Sequence, residues 1–494
     1  MTAETEIYEL ARQNRDPRFD GRFFVGVLTT GIYCRPVCPV RIPRRENVQL
    51  YPSAAAAAAA GFRPCLRCRP ETSPGTPAWL GSSFTVSRAL QLIAQGALDD
   101  DPVEDLASQM GISVRQLNRL FRQHIGATPK AVLQTRRLHF AKQLLDETRL
   151  PVSEVCFAAG FGSVRRFNDV IKQTWGMSPR ALRQRRRQSI LNADGLTVRL
   201  TYRPPFDWQS MLEFFSRRAI PSIEWVNDRC YQRSFMLENK GGCITCSFEP
   251  KDHVVLLQVN YPDSSQLLNI VERVRSLLDL RADSAWIDRD LAGDSQLAPV
   301  VAANPGLRVP GCWDGLEIAV RAIVGQQVSV KAAATLMRRL VERAGLDFPQ
   351  AAAQTGGRIS KLFPDAPTLA SAELSGLGIT GQRIAAIKSL AQAVAERRLR
   401  FDGSQSTGEF CQQICRIKGV GDWTAHYIAL RALRDPDAFP HGDLILQRAL
   451  APQGQTLPAR ELLQLAESWR PWRAYAVMLL WRHHQQVQAG LTAN

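Results

Sequence analysis

The sequence predicts a multidomain, mainly α protein. It has a small α+β module, an all-α region with a duplicated helix-turn-helix, and a larger helical body headed by an antiparallel β/α subdomain. Three observations predict this. The 494 residues exceed what one domain of about 100 to 200 residues holds. Two close cysteine pairs lie near the N-terminus, and a motif at residues 121–131 returns fifty positions later. Apolar residues at 45% and charged residues at 22% exclude a largely disordered chain.

Charge is unevenly placed. Lys and Arg total 62 against 46 Asp and Glu, net +16. Residues 1–190 hold 28 basic and 16 acidic side chains, net +12, and the remainder holds 34 and 30, net +4. A basic excess concentrated in this way is expected of a region that binds a polyanion, nucleic acid first; a merely solubilising surface is the alternative. Residues 1–10 carry Glu4, Glu6 and Glu9 and lack the basic start and apolar core of a signal peptide. No apolar run approaches the roughly 18 residues of a membrane span. The expectation is a cytoplasmic protein without a membrane partner, whose eleven cysteines are thiols or metal ligands rather than disulfides.

The first element rests on Cys34, Cys38, Cys65 and Cys68. Cys-x3-Cys and Cys-x2-Cys pairs separated by 26 residues can bring four sulfurs to one tetrahedral Zn2+, which organises a module too small to fold on its own core. Spacing alone leaves a purely structural zinc site open. The surrounding motifs, Thr29-Thr30-Gly31-Ile32-Tyr33-Cys34-Arg35-Pro36, Arg44-Arg45-Glu46-Asn47-Val48 and Ala60-Gly61-Phe62-Arg63-Pro64-Cys65, closely resemble the N-terminal domain of the Ada family over about the first 75 residues.

That resemblance implies that four thiolates hold zinc and that Cys34 irreversibly takes a methyl group from a DNA methylphosphotriester. A zinc-bound sulfur stays thiolate at neutral pH and needs no general base to attack. Four thiolates on a divalent cation carry a formal charge of −2, and methylation leaves −1, so repulsion from the DNA backbone weakens. Arg35, Arg41, Arg44, Arg45, Arg63, Arg67 and Arg69 are expected to supply the attraction. Cys243 and Cys246 form another Cys-x2-Cys without a second pair and are expected to be half-buried. Cys156, Cys230, Cys312, Cys411 and Cys415 are expected to pack.

The second element follows a linker by composition at residues 72–77. Phe121-Arg122-Gln123-His124-Ile125-Gly126-Ala127-Thr128-Pro129 recurs as Ile171-Lys172-Gln173-Thr174-Trp175-Gly176-Met177-Ser178-Pro179. In each copy a proline (Pro102, Pro151) opens a short helix, glycine stops it, and a serine (Ser113, Ser163) caps a second helix. The second helices are expected to expose Arg115, Gln116, Asn118 and Arg119, then Val164, Arg165, Arg166 and Asn168. Among these, Arg, Asn and Gln pair with base edges in a major groove. The duplication resembles the AraC family of transcription activators over residues 82–188, which implies promoter DNA and RNA polymerase as partners. Two helical hairpins with solvated charged faces are the alternative. Arg183, Arg185, Arg186 and Arg187 are expected to be phosphate contacts or a solvated tail.

The third element begins with alternating residues at 196–200 and a second strand-like run at 253–259, a small antiparallel sheet. From residue 316 to 483 the pattern is helical. Within it, Ile417-Lys418-Gly419-Val420-Gly421-Asp422-Trp423 is a two-glycine turn between helices, a helix-hairpin-helix whose amides can approach a phosphate. Asp443 stands twenty-two residues past Gly421.

With Arg308-Val309-Pro310-Gly311-Cys312-Trp313-Asp314, with residues 321–330 and with Trp469-Arg470-Pro471-Trp472-Arg473, these motifs resemble the AlkA family of 3-methyladenine DNA glycosylases over residues 196–485. The resemblance implies that Asp443 is the catalytic carboxylate, stabilising the oxocarbenium-like sugar and positioning water. Its other reading, an N-cap for the helix starting at Leu444, is compatible. Trp423, Tyr427 and Trp472 match pocket aromatics, Gly419 and Gly421 the DNA-binding hairpin, and Gln327 the residue that wedges into the base stack, where the best-known member has leucine. Trp423 stands where glycosylases with lyase activity carry lysine, which implies hydrolysis without strand cleavage and no cofactor for that step. Lys418 replaces the usual proline. The Pro-Cys-His-Arg motif of alkylguanine methyltransferases is absent from the sequence.

The domains expected are 1–77 (zinc methyl acceptor), 82–188 (DNA-binding), 195–285 (antiparallel sheet subdomain) and 286–486 (helix-hairpin-helix glycosylase core). Together they imply an alkylation-damage response and base excision repair protein acting on double-stranded DNA. The alternative is a transcription regulator whose last region is a catalytically idle DNA-binding module. Asp443 together with its aromatics argues against it.

Overall fold

The computed structural model describes residues 3–74, 84–99, 101–185, 196–451 and 455–492. Thr76, Pro77, Arg186 and Arg187, and with them the boundaries expected at 77, 82, 188 and 195, lie outside the described residues. The chain divides into two compact units. One comprises Met1–Pro204, Cys246–Arg275 and Leu280–Asp283, and the other Pro205–Thr245, Ser276–Asp279 and Ser284–Asn494. The stretch expected as one sheet subdomain, 195–285, is therefore shared between them. No helix of the described residues is long and apolar enough to cross a membrane.

In the first unit a four-stranded sheet runs in the order Val48–Tyr51, Phe24–Val27, Ile32–Cys34, Arg63–Pro64. The first three strands are antiparallel and the last pair is parallel. The parallel pair brings the two distant cysteine motifs together: the Cys65 amide donates to the Tyr33 carbonyl at 3.0 Å. Tyr8 from the helix Ala3–Asn14 stacks on Phe23 at 4.5 Å and closes the small core around the cysteines.

The two helix-turn-helix copies fold alike because their apolar positions repeat. Leu117, Phe121 and Ile125 line the buried side of helix Val114–Ile125, and Phe167, Ile171 and Trp175 that of Val164–Trp175. Ser113 and Ser163 cap these helices by accepting from the Gln116 and Arg166 amides. Gly126 and Gly176, at φ +74° and +70°, end them in the left-handed conformation that glycine adopts without penalty.

Helix Pro129–Glu147 joins the copies, and the zinc module sits on it. The Tyr33 hydroxyl and His139 Nε2 are 2.8 Å apart, and Ser53 Oγ donates to the Ile125 carbonyl at 2.7 Å. Beside these contacts Arg69 reaches Asp146 at 3.0 Å, and Lys142 reaches Asp146 at 2.6 Å. Strand Leu196–Thr201, antiparallel to Val254–Asn260, packs on the same helix. The Arg199 amide donates to Glu147 at 3.1 Å, and Thr201 Oγ1 donates to the Thr72 carbonyl at 2.6 Å. Three modules that are separate by composition form one body here.

The second unit contains the antiparallel pair Glu224–Val226 and Cys230–Leu237, the first residues of strand Lys240–Glu249 and the short antiparallel pair Leu346–Asp347 and Lys361–Leu362, and is otherwise mainly helical. Its helices begin before residue 316, at Trp208–Ser216, Ser284–Leu291 and Ala298–Ala303. Two cysteine expectations are corrected. Cys243 and Cys246 are buried rather than half-buried, because strand Lys240–Glu249 is covered at both positions. Cys415, past the end of helix Thr407–Ile414, is exposed and packs against nothing that buries it. Cys156 and Cys411 are buried, and Cys230 and Cys312 are half-buried.

Candidate metal centre and base cavity

Cys34, Cys38, Cys65 and Cys68 are all buried, and their sulfurs lie within 4.8 Å of one another. Four soft donors in this arrangement fit one tetrahedral zinc ion. Sulfur–sulfur hydrogen bonds push the Cys34 and Cys68 thiols up and pull Cys38 and Cys65 down.

The surrounding arginines divide into two kinds. Arg35 is turned inward: its guanidinium pairs with Asp20 and donates to the Thr72 hydroxyl at 2.7 Å, while its amide donates to Cys68 Sγ at 3.4 Å. Arg69 is held by Glu71, Asp146 and Glu147. These two are structural, a correction to their expected place on the DNA-facing surface, and apart from Glu71 the carboxylates that neutralise them are distant in sequence. Arg41, Arg44, Arg45, Arg63 and Arg67 are exposed.

On the second helix-turn-helix helices, Arg115, Gln116 and Arg119, then Arg165, Arg166 and Asn168, are exposed. Asn118 departs from its expected exposure. It is half-buried, and its amide donates to the Val114 carbonyl of its own helix at 3.0 Å, because residue 118 lies one turn beyond 114. Val164 is half-buried as well.

The second unit holds a cavity of about 290 Å³ lined by Trp423, Tyr427 and Asp443 among others, close to the small end of ligand sites, roughly 300 Å³ and larger. Gly419 enters the hairpin at φ +95°, and a Cβ there would meet Ala386 at 3.3 Å, so the turn requires glycine. Gly421, exposed, caps the helix Asp422–Ile428, which carries Trp423 and Tyr427 stacked at 5.4 Å. A π-helical turn, Ala429–Leu433, follows and places Arg431.

Asp443 caps the helix Leu444–Ala449 and faces the cavity at once. One oxygen accepts from the Ile445 and Leu446 amides at 2.9 and 3.1 Å and from Trp481 Nε1 at 3.3 Å, and the other accepts from Trp423 Nε1 at 2.9 Å. Four donors hold this buried carboxylate at the cavity wall, and among the described residues no cation pairs with it.

Trp472 does not line the cavity. It is buried elsewhere, with Nε1 donating to Asp290 at 3.0 Å and its edge on Tyr475. Trp481, from helix Arg473–Thr492, lines the cavity beside Trp423. Reading the Trp-Arg-Pro-Trp run missed it, because no local pattern separates Trp481 from the other apolar residues of a buried helix.

Gln327 is exposed at φ +53°, a strained conformation for a residue with a Cβ. Its neighbour Gln326 ties this loop to the hairpin, donating from Nε2 to the Gly419 carbonyl at 2.9 Å and to Thr424 Oγ1 at 3.1 Å.

Deeper in the cavity the charges are paired. Glu317 bridges Arg233 and Arg321 at 2.7 Å each, and Glu224 bonds Arg321 at 2.5 Å and the Tyr231 hydroxyl at 2.7 Å. Burial pushes Glu317 up, but the two guanidiniums outweigh it and hold it at about 2. Burial also raises Tyr427, and Arg431 and Arg218 more than offset this, leaving its phenol lowered.

Comparison with known proteins finds four domain families in order along the chain. They are the metal binding domain of Ada at residues 8–71, a helix-turn-helix domain at 106–185, the AlkA N-terminal domain at 197–314, and the HhH-GPD superfamily of base excision DNA repair proteins at 320–471. The chain is 41% identical over 475 residues to a probable bifunctional transcriptional activator/DNA repair enzyme AlkA of Mycobacterium tuberculosis, covering 95% of each chain. It is 32% identical over 288 residues to DNA-3-methyladenine glycosylase 2 of Escherichia coli, covering 57% of this chain and 95% of that one. A solved 3-methyladenine DNA glycosylase from Archaeoglobus fulgidus shares the fold over 58% of this chain and 98% of its own, with a TM-score of 0.51 and 19% identity.

Proposed function

This chain belongs to the family of bifunctional transcriptional activator/DNA repair enzymes that join an Ada-type metal-binding domain to an AlkA-type glycosylase, and from that premise we propose how its residues divide the work. The observation that carries the repair half is the Asp443 carboxylate, set in the cavity wall and fixed by the indoles of Trp423 and Trp481. An alkylated purine extruded from the duplex enters the cavity and stacks on these rings, its positive charge attracted by their π faces. As the N-glycosidic bond breaks, the base leaves with the bonding electrons. Asp443 then stabilises the positive charge on the sugar, orients the water that adds to C1′ and takes up the proton that water loses. No lysine lines the cavity among the described residues, in keeping with hydrolysis rather than Schiff-base strand cleavage.

The loop at Gln327 wedges the duplex where the base has left, and the amides around Gly419 and Gly421 bind the adjacent phosphate. In the other unit Cys34 accepts the methyl group: a sulfur–carbon bond forms, the methyl–oxygen bond breaks, and the phosphodiester leaves as an anion. A bound zinc ion keeps Cys34 a thiolate at neutral pH. The exposed Arg115, Arg119, Arg165 and Arg166 contact promoter DNA, RNA polymerase is the partner of the activated complex, and the protein works in the cytoplasm where its DNA lies.

The test has two arms. Asp443→Asn is expected to stop release of 3-methyladenine from methylated duplex DNA while leaving methyl transfer from methylphosphotriesters intact, and Cys34→Ala is expected to do the reverse. Covalent trapping of the protein on DNA by borohydride would contradict the hydrolytic route.

A further inference from the structure

The cavity has more cationic groups than its damaged-base role requires. Glu224 and Glu317 are consumed by Arg233 and Arg321, and these four charges cancel. Arg218 and Arg431 remain, against Asp443 alone. Arg431 is committed to structure: it donates to the Pro310 and Gly311 carbonyls and to the Tyr427 hydroxyl.

Arg218 is placed differently. Its guanidinium lies over the Phe214 ring at 3.8 Å, lines the cavity and donates to the Phe214 carbonyl at 3.4 Å. A guanidinium has five N–H donors in a planar fork, so this bond leaves donors for whatever enters. Stacking on Phe214 fixes the plane of the fork, so the donors are oriented before a ligand arrives.

Damaged purines differ in what they offer such a donor. 7-Methylguanine and hypoxanthine carry a carbonyl oxygen at C6, an acceptor that arginine bonds well, whereas 3-methyladenine carries an amino group there, donor against donor. A buried donor left unmatched costs more than a matched one gains. We propose that Arg218 is a specificity-determining residue of this cavity, favouring extruded purines with a carbonyl oxygen at C6 over those with an amino group. The assignment rests on the cavity being the base site.

Methylated duplex DNA tests it directly, because full-length protein releases both 7-methylguanine and 3-methyladenine from one sample and their ratio cancels differences in the amount of folded protein. Arg218→Met is expected to lower that ratio about tenfold or more, and to lower the rate for a hypoxanthine duplex relative to 3-methyladenine by at least as much. Arg218→Lys, which keeps charge and one donor group, is expected to fall between. An unchanged ratio, or an equal loss of all three bases, would overturn the proposal. Asp443→Asn separates the two ways of failing. If it still releases both bases, the cavity is not the base site. If it releases neither while Arg218→Met leaves the ratio unchanged, only the role of Arg218 is lost.

Discussion

Trp423 Nε1 donates to the Asp443 carboxylate at 2.9 Å, joining the first turn after the hairpin to the cap of a helix twenty residues later. The bond orients the carboxylate and fixes the indole in the cavity wall together. Trp423→Phe keeps an aromatic face and removes the donor. Excision of 3-methyladenine is expected to slow by about tenfold, the loss of one hydrogen bond to a charged group, with a smaller change in binding of abasic-site DNA. Single-turnover rates and binding isotherms check it; equal losses in both would mean that the ring, not the bond, matters.

Gln327 holds φ +53° on the exposed tip of its loop. Gln327→Gly relieves about 1 kcal/mol of left-handed strain, so thermal stability of the second unit is expected to rise slightly. Excision is expected to fall, because nothing then fills the gap left by the extruded base. Gln327→Leu is expected to excise faster than wild type, since an apolar wedge loses less on leaving water. A glycine variant as fast as wild type would remove Gln327 from the mechanism.

The four sulfurs should bind one zinc per chain, measurable by atomic emission. Zinc binding contributes on the order of 10 kcal/mol to folding in small thiolate modules. Cys65→Ser is therefore expected to lose stoichiometric zinc and to melt the N-terminal sheet at a lower temperature. Near-full zinc occupancy in Cys65→Ser would argue against that ligand set.

His139 meets the Tyr33 hydroxyl, and burial lowers its pKa to about 4. A folded value below the unfolded 6.5 means that the contribution of the neutral ring is complete above pH 6.5 and is lost as pH falls toward 4. His139→Gln, which can still bond Tyr33, is expected to flatten this part of the acid dependence. Melting curves between pH 7 and 4 for the two proteins measure it; parallel curves would place the acid sensitivity elsewhere.

Much of the site is legible in the sequence because its signals are local. Cysteine spacing of three and two, serine caps, a hairpin glycine that only glycine tolerates, and an aspartate after Pro-His-Gly each report a backbone or ligand requirement met within a few residues. Trp472 and Trp481 mark where that stops. Both sit in the same apolar C-terminal stretch, and only the packing of helix Arg473–Thr492 decides that residue 481 faces the cavity while 472 bonds Asp290.

Arg35 and Arg69 mark it again: beside the cysteines they read as DNA contacts, but Asp20, Glu71, Asp146 and Glu147 neutralise them in the folded chain. By itself, then, the sequence determined the modules, their order and the metal ligands, all set by short-range spacing. The tertiary structure alone decided which charges are spent inside the fold, which aromatics and which arginine face the cavity, and that the zinc module, the joining helix and strand Leu196–Thr201 form one body. Most of those depend on partners far away in the chain, and burial makes pairing compulsory only once folding has brought them together.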